Sequence, residues 1–72
     1  MPIALIKIME GRSPDKRRRL VEQVSQAMAD ALEMPIDGVR VLIEEVPPEN
    51  WGRGGRTVAD RVVDGSATLP KA

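Results

Sequence analysis

Among residues able to do chemistry, this 72-residue chain is marked first by what it lacks, since it has no histidine and no cysteine. Thiol nucleophiles and imidazole proton shuttles are therefore excluded, and the usual zinc ligand sets are nearly so. The bases that remain are carboxylates and amines. The chain opens MPIALIKI, with Pro2 directly behind the initiator methionine. A small second residue favours removal of Met1, and a trimmed chain would begin with the secondary amine of Pro2. Proline is also compatible with the first position of a strand on backbone grounds alone, so Pro2 has a purely structural reading as well.

Two arginines and one aromatic residue complete the candidates. Arg12 follows Gly11, and Arg40 interrupts the β-branched start of VRVLIEEV. A guanidinium keeps its charge and needs an anion or water. For Arg40, one reading is a structural ion pair with Glu44 or Glu45, and the other is a bidentate clamp on the carboxylate of a ligand. Trp51 is the only aromatic side chain and sits in a glycine-rich loop, which suits either an interface plug or a pocket wall. Two other features read as inert. Lys16, Arg17, Arg18 and Arg19 are consecutive on a helix, about 100° apart, and describe a solvated face. The GRGG of residues 52–55 lacks the lysine and hydroxyl residue of a phosphate-binding loop.

These side chains need elements to position them. Residues 2–9 are apolar at every position but Lys7 and do not alternate, which predicts a strand covered on both faces. Gly11 offers a turn, Ser13 an N-cap, Pro14 a first helical residue and Asp15 a favourable charge at the helix start. Leu20, Val21, Val24, Ala27, Met28, Ala31 and Leu32 then form an apolar stripe that ends near Glu33. Pro35 and Asp37-Gly38 break the chain before a second, β-branched strand. Strand, helix and strand in this order predict a right-handed parallel βαβ unit of the α/β (α+β) class. Val58–Val63 reads as a short hairpin piece or exchanged arm, and residues from about 65 to 72 as a loose C-terminal tail.

Acidic and basic residues balance at eleven each, so no net field favours nucleic acid or an anionic membrane. No apolar run is long enough to span a bilayer, and no secretory signal pattern opens the chain, which predicts a cytoplasmic protein. A single 72-residue domain with two strands has too little interior to be stable alone. Other copies must supply the missing strands and cover, so an oligomer is expected.

Taken together, PIALIKIMEGRS, the helix, VRVLIEEV with Arg40, and NWGRGG resemble the 4-oxalocrotonate tautomerase family nearly end to end. The resemblance implies one tautomerase-like domain over residues 1–72. It implies an enzyme of aromatic catabolism that interconverts enol and keto forms of 2-oxo acids or related dicarboxylates without cofactor or metal. It implies a homo-oligomer, a hexamer built as a trimer of dimers, without nucleic-acid or membrane partners. By position, Pro2 matches the family's proton-shuttling base and Arg12 the arginine that grips the distal carboxylate. Arg40 matches the arginine that holds the carboxylate and oxygen near the reacting carbon, and Trp51 an aromatic pocket wall. Arg53 departs from the apolar residue common in the loop. Relatives that hydrate halogenated acrylates carry a carboxylate there, so that reaction is disfavoured.

The physics is consistent with this reading. An α-amine lies nearer neutrality than lysine, and an apolar site beside guanidinium groups disfavours its charged form. Ten residues of strand at ~3.3 Å each place Pro2 and Arg12 roughly 30 Å apart, so a shared site between subunits is expected. The competing reading is a non-catalytic oligomeric or nucleic-acid-associated module.

Overall fold

The computed structural model describes residues 1–72. The chain forms β1 (Ile3–Met9), α1 (Pro14–Leu32), β2 (Arg40–Val46), β3 (Gly52–Arg53), β4 (Arg56–Thr57) and α2 (Val58–Val63), with 3-10 turns at Ile36–Gly38 and Pro48–Asn50. β1 and β2 pair in parallel from Ile3↔Arg40 to Met9↔Val46, with α1 as the crossover. α1 starts where its cap predicts: the Ser13 hydroxyl accepts from the Lys16 amide at 3.3 Å, and Pro14 fills the first turn. It ends at Glu33, whose positive φ of 51° closes the helix in the left-handed region.

The helix stripe is narrower than its sequence spacing implies. Leu20, Val21, Val24 and Met28 turn inward with Ala29, the more buried of only two buried residues, while Ala27, Ala31 and Leu32 remain exposed. Two strands offer too little sheet to cover a wider face. The strand pair shows the same shortage from its other side. Ala4, Ile6, Ile8, Val41 and Ile43 are half-buried on one face, whereas Ile3, Leu5 and Leu42 on the opposite face are 64%, 60% and 51% exposed. The expected cover of β1 on both faces is thus absent within one chain. A radius of gyration of 15.2 Å is well above the ~11 Å of a compact chain of this length. Large apolar side chains left bare in an elongated chain mark a surface for association.

The late segment differs from an extended arm. Gly54 and Gly55 take φ of 61° and 83°, which makes the glycine pair a tight hairpin turn between β3 and β4, with Arg53 opposite Arg56. Val58–Val63 is a helix, α2, because the Thr57 hydroxyl accepts from the Asp60 amide at 3.2 Å and caps it.

Candidate active site

At the end of the sheet where β1 begins, the Arg40 amide donates to the Pro2 carbonyl at 3.0 Å. Main-chain pairing alone therefore sets Arg40 beside Pro2. The Arg40 guanidinium bends back, donating through Nη1 to the carbonyls of Asp37 at 2.8 Å and Val39 at 3.4 Å. The ion pair with Glu44 or Glu45 does not form. Four residues of strand separate Arg40 from Glu44 by about 13 Å, and because strand side chains stand roughly perpendicular to the sheet the two do not meet. Instead Glu44 lies 3.9 Å from Lys7, and Glu45 lies 3.4 Å from Arg17 on the helix. Arg40 is exposed and has no carboxylate partner. Pro2 is half-buried and still joined to Met1, so its nitrogen in this form is an amide.

The opposite end of the sheet is built from more of the chain. Gly11, with φ of 123°, turns the backbone off β1 and sets Arg12 just ahead of the helix cap. Arg12 donates through Nη1 to the Met9 carbonyl at 3.2 Å and likewise meets no carboxylate. Trp51 ends the 3-10 turn at Pro48–Asn50, and its carbonyl accepts from the Val58 amide at 2.9 Å, tying the loop to α2. Arg12, Trp51, Lys7 and Met9 line a groove of about 380 Å³, closed on one side by Thr68 and Pro70 of the C-terminal segment. Two cations and no carboxylate face this groove, which suits an anion. The Lys7–Glu44 pair is more than half exposed on both sides and holds Lys7 only weakly.

The fold thus joins Pro2 with Arg40 and Arg12 with Trp51, but it leaves the two pairs at opposite ends of β1, about 23 Å apart for seven residues. One small substrate cannot reach both within one chain. The Arg53 carbonyl accepts from Arg61 Nη2 at 3.3 Å in the hairpin, and Arg53 itself is exposed and does not line the groove. Lys7, Thr68 and Pro70 are groove residues that the sequence reading did not single out. Lys7 was marked as the one charge in an apolar strand, while nothing local marks the other two. In the basic run, Arg17 and Arg18 are held by Glu45 and Asp15.

Comparison with known proteins identifies the fold and family. The family model described as tautomerase enzyme matches residues 2–61. The 2-hydroxymuconate tautomerase of Pseudomonas sp. (strain CF600) is 49% identical over 55 residues, covering 76% of this chain and 87% of that protein. The crystal structure of TomN, a 4-oxalocrotonate tautomerase homologue in the tomaymycin biosynthetic pathway, superimposes with a TM-score of 0.84 at 42% identity, covering 86% of this chain and 95% of TomN. A heterohexamer 4-oxalocrotonate tautomerase from Chloroflexus aurantiacus J-10-fl gives a TM-score of 0.80 at 38% identity, covering 83% of this chain and 97% of that one. In sequence and in the βαβ frame that carries Pro2, Arg12 and Arg40, the chain belongs to the 4-oxalocrotonate tautomerase family of tautomerase enzymes.

Proposed function

We propose that this protein interconverts the enol and keto forms of a 2-oxo dicarboxylate of the 2-hydroxymuconate class, with Pro2 as general base once Met1 is removed. The observation that carries this reading is that the guanidinium groups at the two ends of β1, Arg12 and Arg40, meet no carboxylate, and that Arg12 lines a groove with a second cation and no acid. Arg17, Arg18, Arg56 and Lys7 each meet a carboxylate, whereas Arg12 and Arg40 donate only to backbone carbonyls. Each is therefore free to exchange a carbonyl for the carboxylate of a ligand, which makes a stronger, charge-assisted bond.

In this mechanism the neutral Pro2 amine takes the proton of the 2-hydroxyl group. The electron pair moves through the conjugated carbons, and the resulting ammonium returns the proton to carbon, so the reaction is a balanced isomerisation. Arg40 holds the carboxylate next to the reacting oxygen and stabilises the charge that develops there, an effect of ~3 kcal/mol for a well-placed donor. Arg12 grips the distal carboxylate, and Trp51 forms an apolar wall. Since Pro2 and Arg12 of one chain lie too far apart, each site takes its base and its distal clamp from different copies. The bare face bearing Ile3, Leu5 and Leu42 supports such an assembly, a homo-hexamer arranged as a trimer of dimers.

The test is ketonisation of 2-hydroxymuconate, followed by loss of its dienol absorbance, with sedimentation on the same sample. Turnover by a hexamer, with an acidic limb in kcat/KM from the amine, is expected. Absence of turnover in a sample whose intact mass shows Pro2 at the terminus would overturn the reading.

A further inference from the structure

The family match ends at residue 61, yet the chain continues to Ala72 and returns to the Arg12 groove. Its path is set at the root. After α2, Gly65 takes φ of 84°, the Ser66 amide donates to the Arg61 carbonyl at 2.8 Å and to Asp64 Oδ1 at 2.9 Å, and the Ala67 amide reaches the Arg61 carbonyl at 3.1 Å. Asp64 is in turn paired with Arg56 of β4. The tail thus leaves α2 in a fixed direction and crosses back to the turn after β1. There Thr68 and Pro70 line the groove opposite Met9 and Arg12, and the Pro70 carbonyl lies 4.0 Å from where a Cβ on Gly11 would stand.

We infer that Thr68 and Pro70, beyond the family match, form a specificity wall which bounds the distal end of the substrate and selects a compact carboxylate over a bulky apolar group. The inference rests on the proposed function only for which substrate fills the groove. The chemistry of the wall fits the assignment. Thr68 brings a hydroxyl to a groove that also holds two cations, which suits a carboxylate oxygen, and the proline ring adds a rigid apolar surface to the same wall. An aryl group at that end would have to displace both.

Two variants of the protein test this: Thr68→Phe in the full chain, which fills the groove, and a chain ending at Ala67, which keeps the Ser66 hydrogen bonds but removes the wall. Trp51 lies in the groove and is the only aromatic residue of the parent, so its fluorescence reports occupancy by muconate, an unreactive dicarboxylate. With assembly verified by sedimentation, each variant is expected to weaken muconate roughly fivefold or more. The shortened chain should also lower the ratio of kcat/KM for 2-hydroxymuconate over phenylenolpyruvate by roughly tenfold. Muconate affinities within about twofold of the parent in both variants, or no Trp51 response to muconate in the parent, overturn the wall. If the parent turns over neither enol while muconate binding still separates parent from variants, the tautomerase reading fails and the wall stands.

Discussion

The two ends of the β1–β2 sheet are constructed by different means. The Pro2–Arg40 end is made by strand pairing and needs only two segments, held by a main-chain hydrogen bond of 3.0 Å. The Arg12–Trp51 end draws on β1, the turn at Gly11, the loop before β3 and the C-terminal segment. Backbone register fixes the first end, so it tolerates little variation. The second is an assembly of side chains from separate segments, where recognition can change without disturbing the sheet. In the proposed mechanism the base therefore sits on the rigid end and selection on the adaptable one.

The comparison can be broken most sharply at the rigid end. Chains that retain Met1, or carry an acetyl cap on Pro2, should lose about a thousandfold or more in kcat/KM while keeping their assembly, because an amide nitrogen cannot accept the proton. Intact mass paired with the ketonisation assay decides this, and full activity from uniformly capped chains would remove the amine from the mechanism. At the same end, Arg40→Ala should lower kcat/KM roughly a hundredfold with assembly unchanged. Dissociation of the oligomer with normal activity per folded site would assign Arg40 a structural role instead.

Changes at the other end should be milder and fall on binding. Arg12→Ala is expected to raise KM about tenfold and to affect kcat less. Mixing such chains with capped-Pro2 chains should recover part of the lost activity, since some sites then combine an intact base with an intact clamp. No recovery in verified mixed oligomers would place both residues in one chain's site. The smallest effect concerns the tail. The neighbouring Ser66, its hydroxyl first and then its amide, which donates to Oδ1 at 2.9 Å, together with the paired Arg56, holds the Asp64 carboxyl at about 2 instead of 3.8. A carboxyl lowered in the folded state stabilises that state above its unfolded value, and the contribution is lost as pH falls from 3.8 toward 2. The protection of the Ser66 amide against exchange, relative to its intrinsic rate, should fall over this window in the parent and show no such step in Asp64→Asn.

Much of the βαβ frame was legible in the sequence because its signals are local. Ser13-Pro14 marked the start of α1, Pro35 and Gly38 the break before β2, and the apolar run of 2–9 the strand itself. The adaptable end was harder to read. Val58, Val62 and Val63 are β-branched and suggest an extended piece, yet the Thr57 cap and packing against the preceding loop make six residues helical. The hairpin strands are two residues each, too short for any period to appear. Glu44 and Glu45 looked available to Arg40 only because sequence spacing does not show which strand and helix residues will claim them. Thr68 and Pro70 reach the groove through a long-range return of the chain, to which no neighbour in sequence points.

Only Ala29 and Val39 are buried in the single chain, and this has a consequence for how the protein lives in solution. With so little interior of its own, a subunit draws its cohesion from the copies around it, and folding and association become one equilibrium. The thermal midpoint then rises with protein concentration, and no concentration-free value of stability exists for the isolated chain. A newly made copy that finds no companions is prey for proteases, so abundance and assembly are governed together.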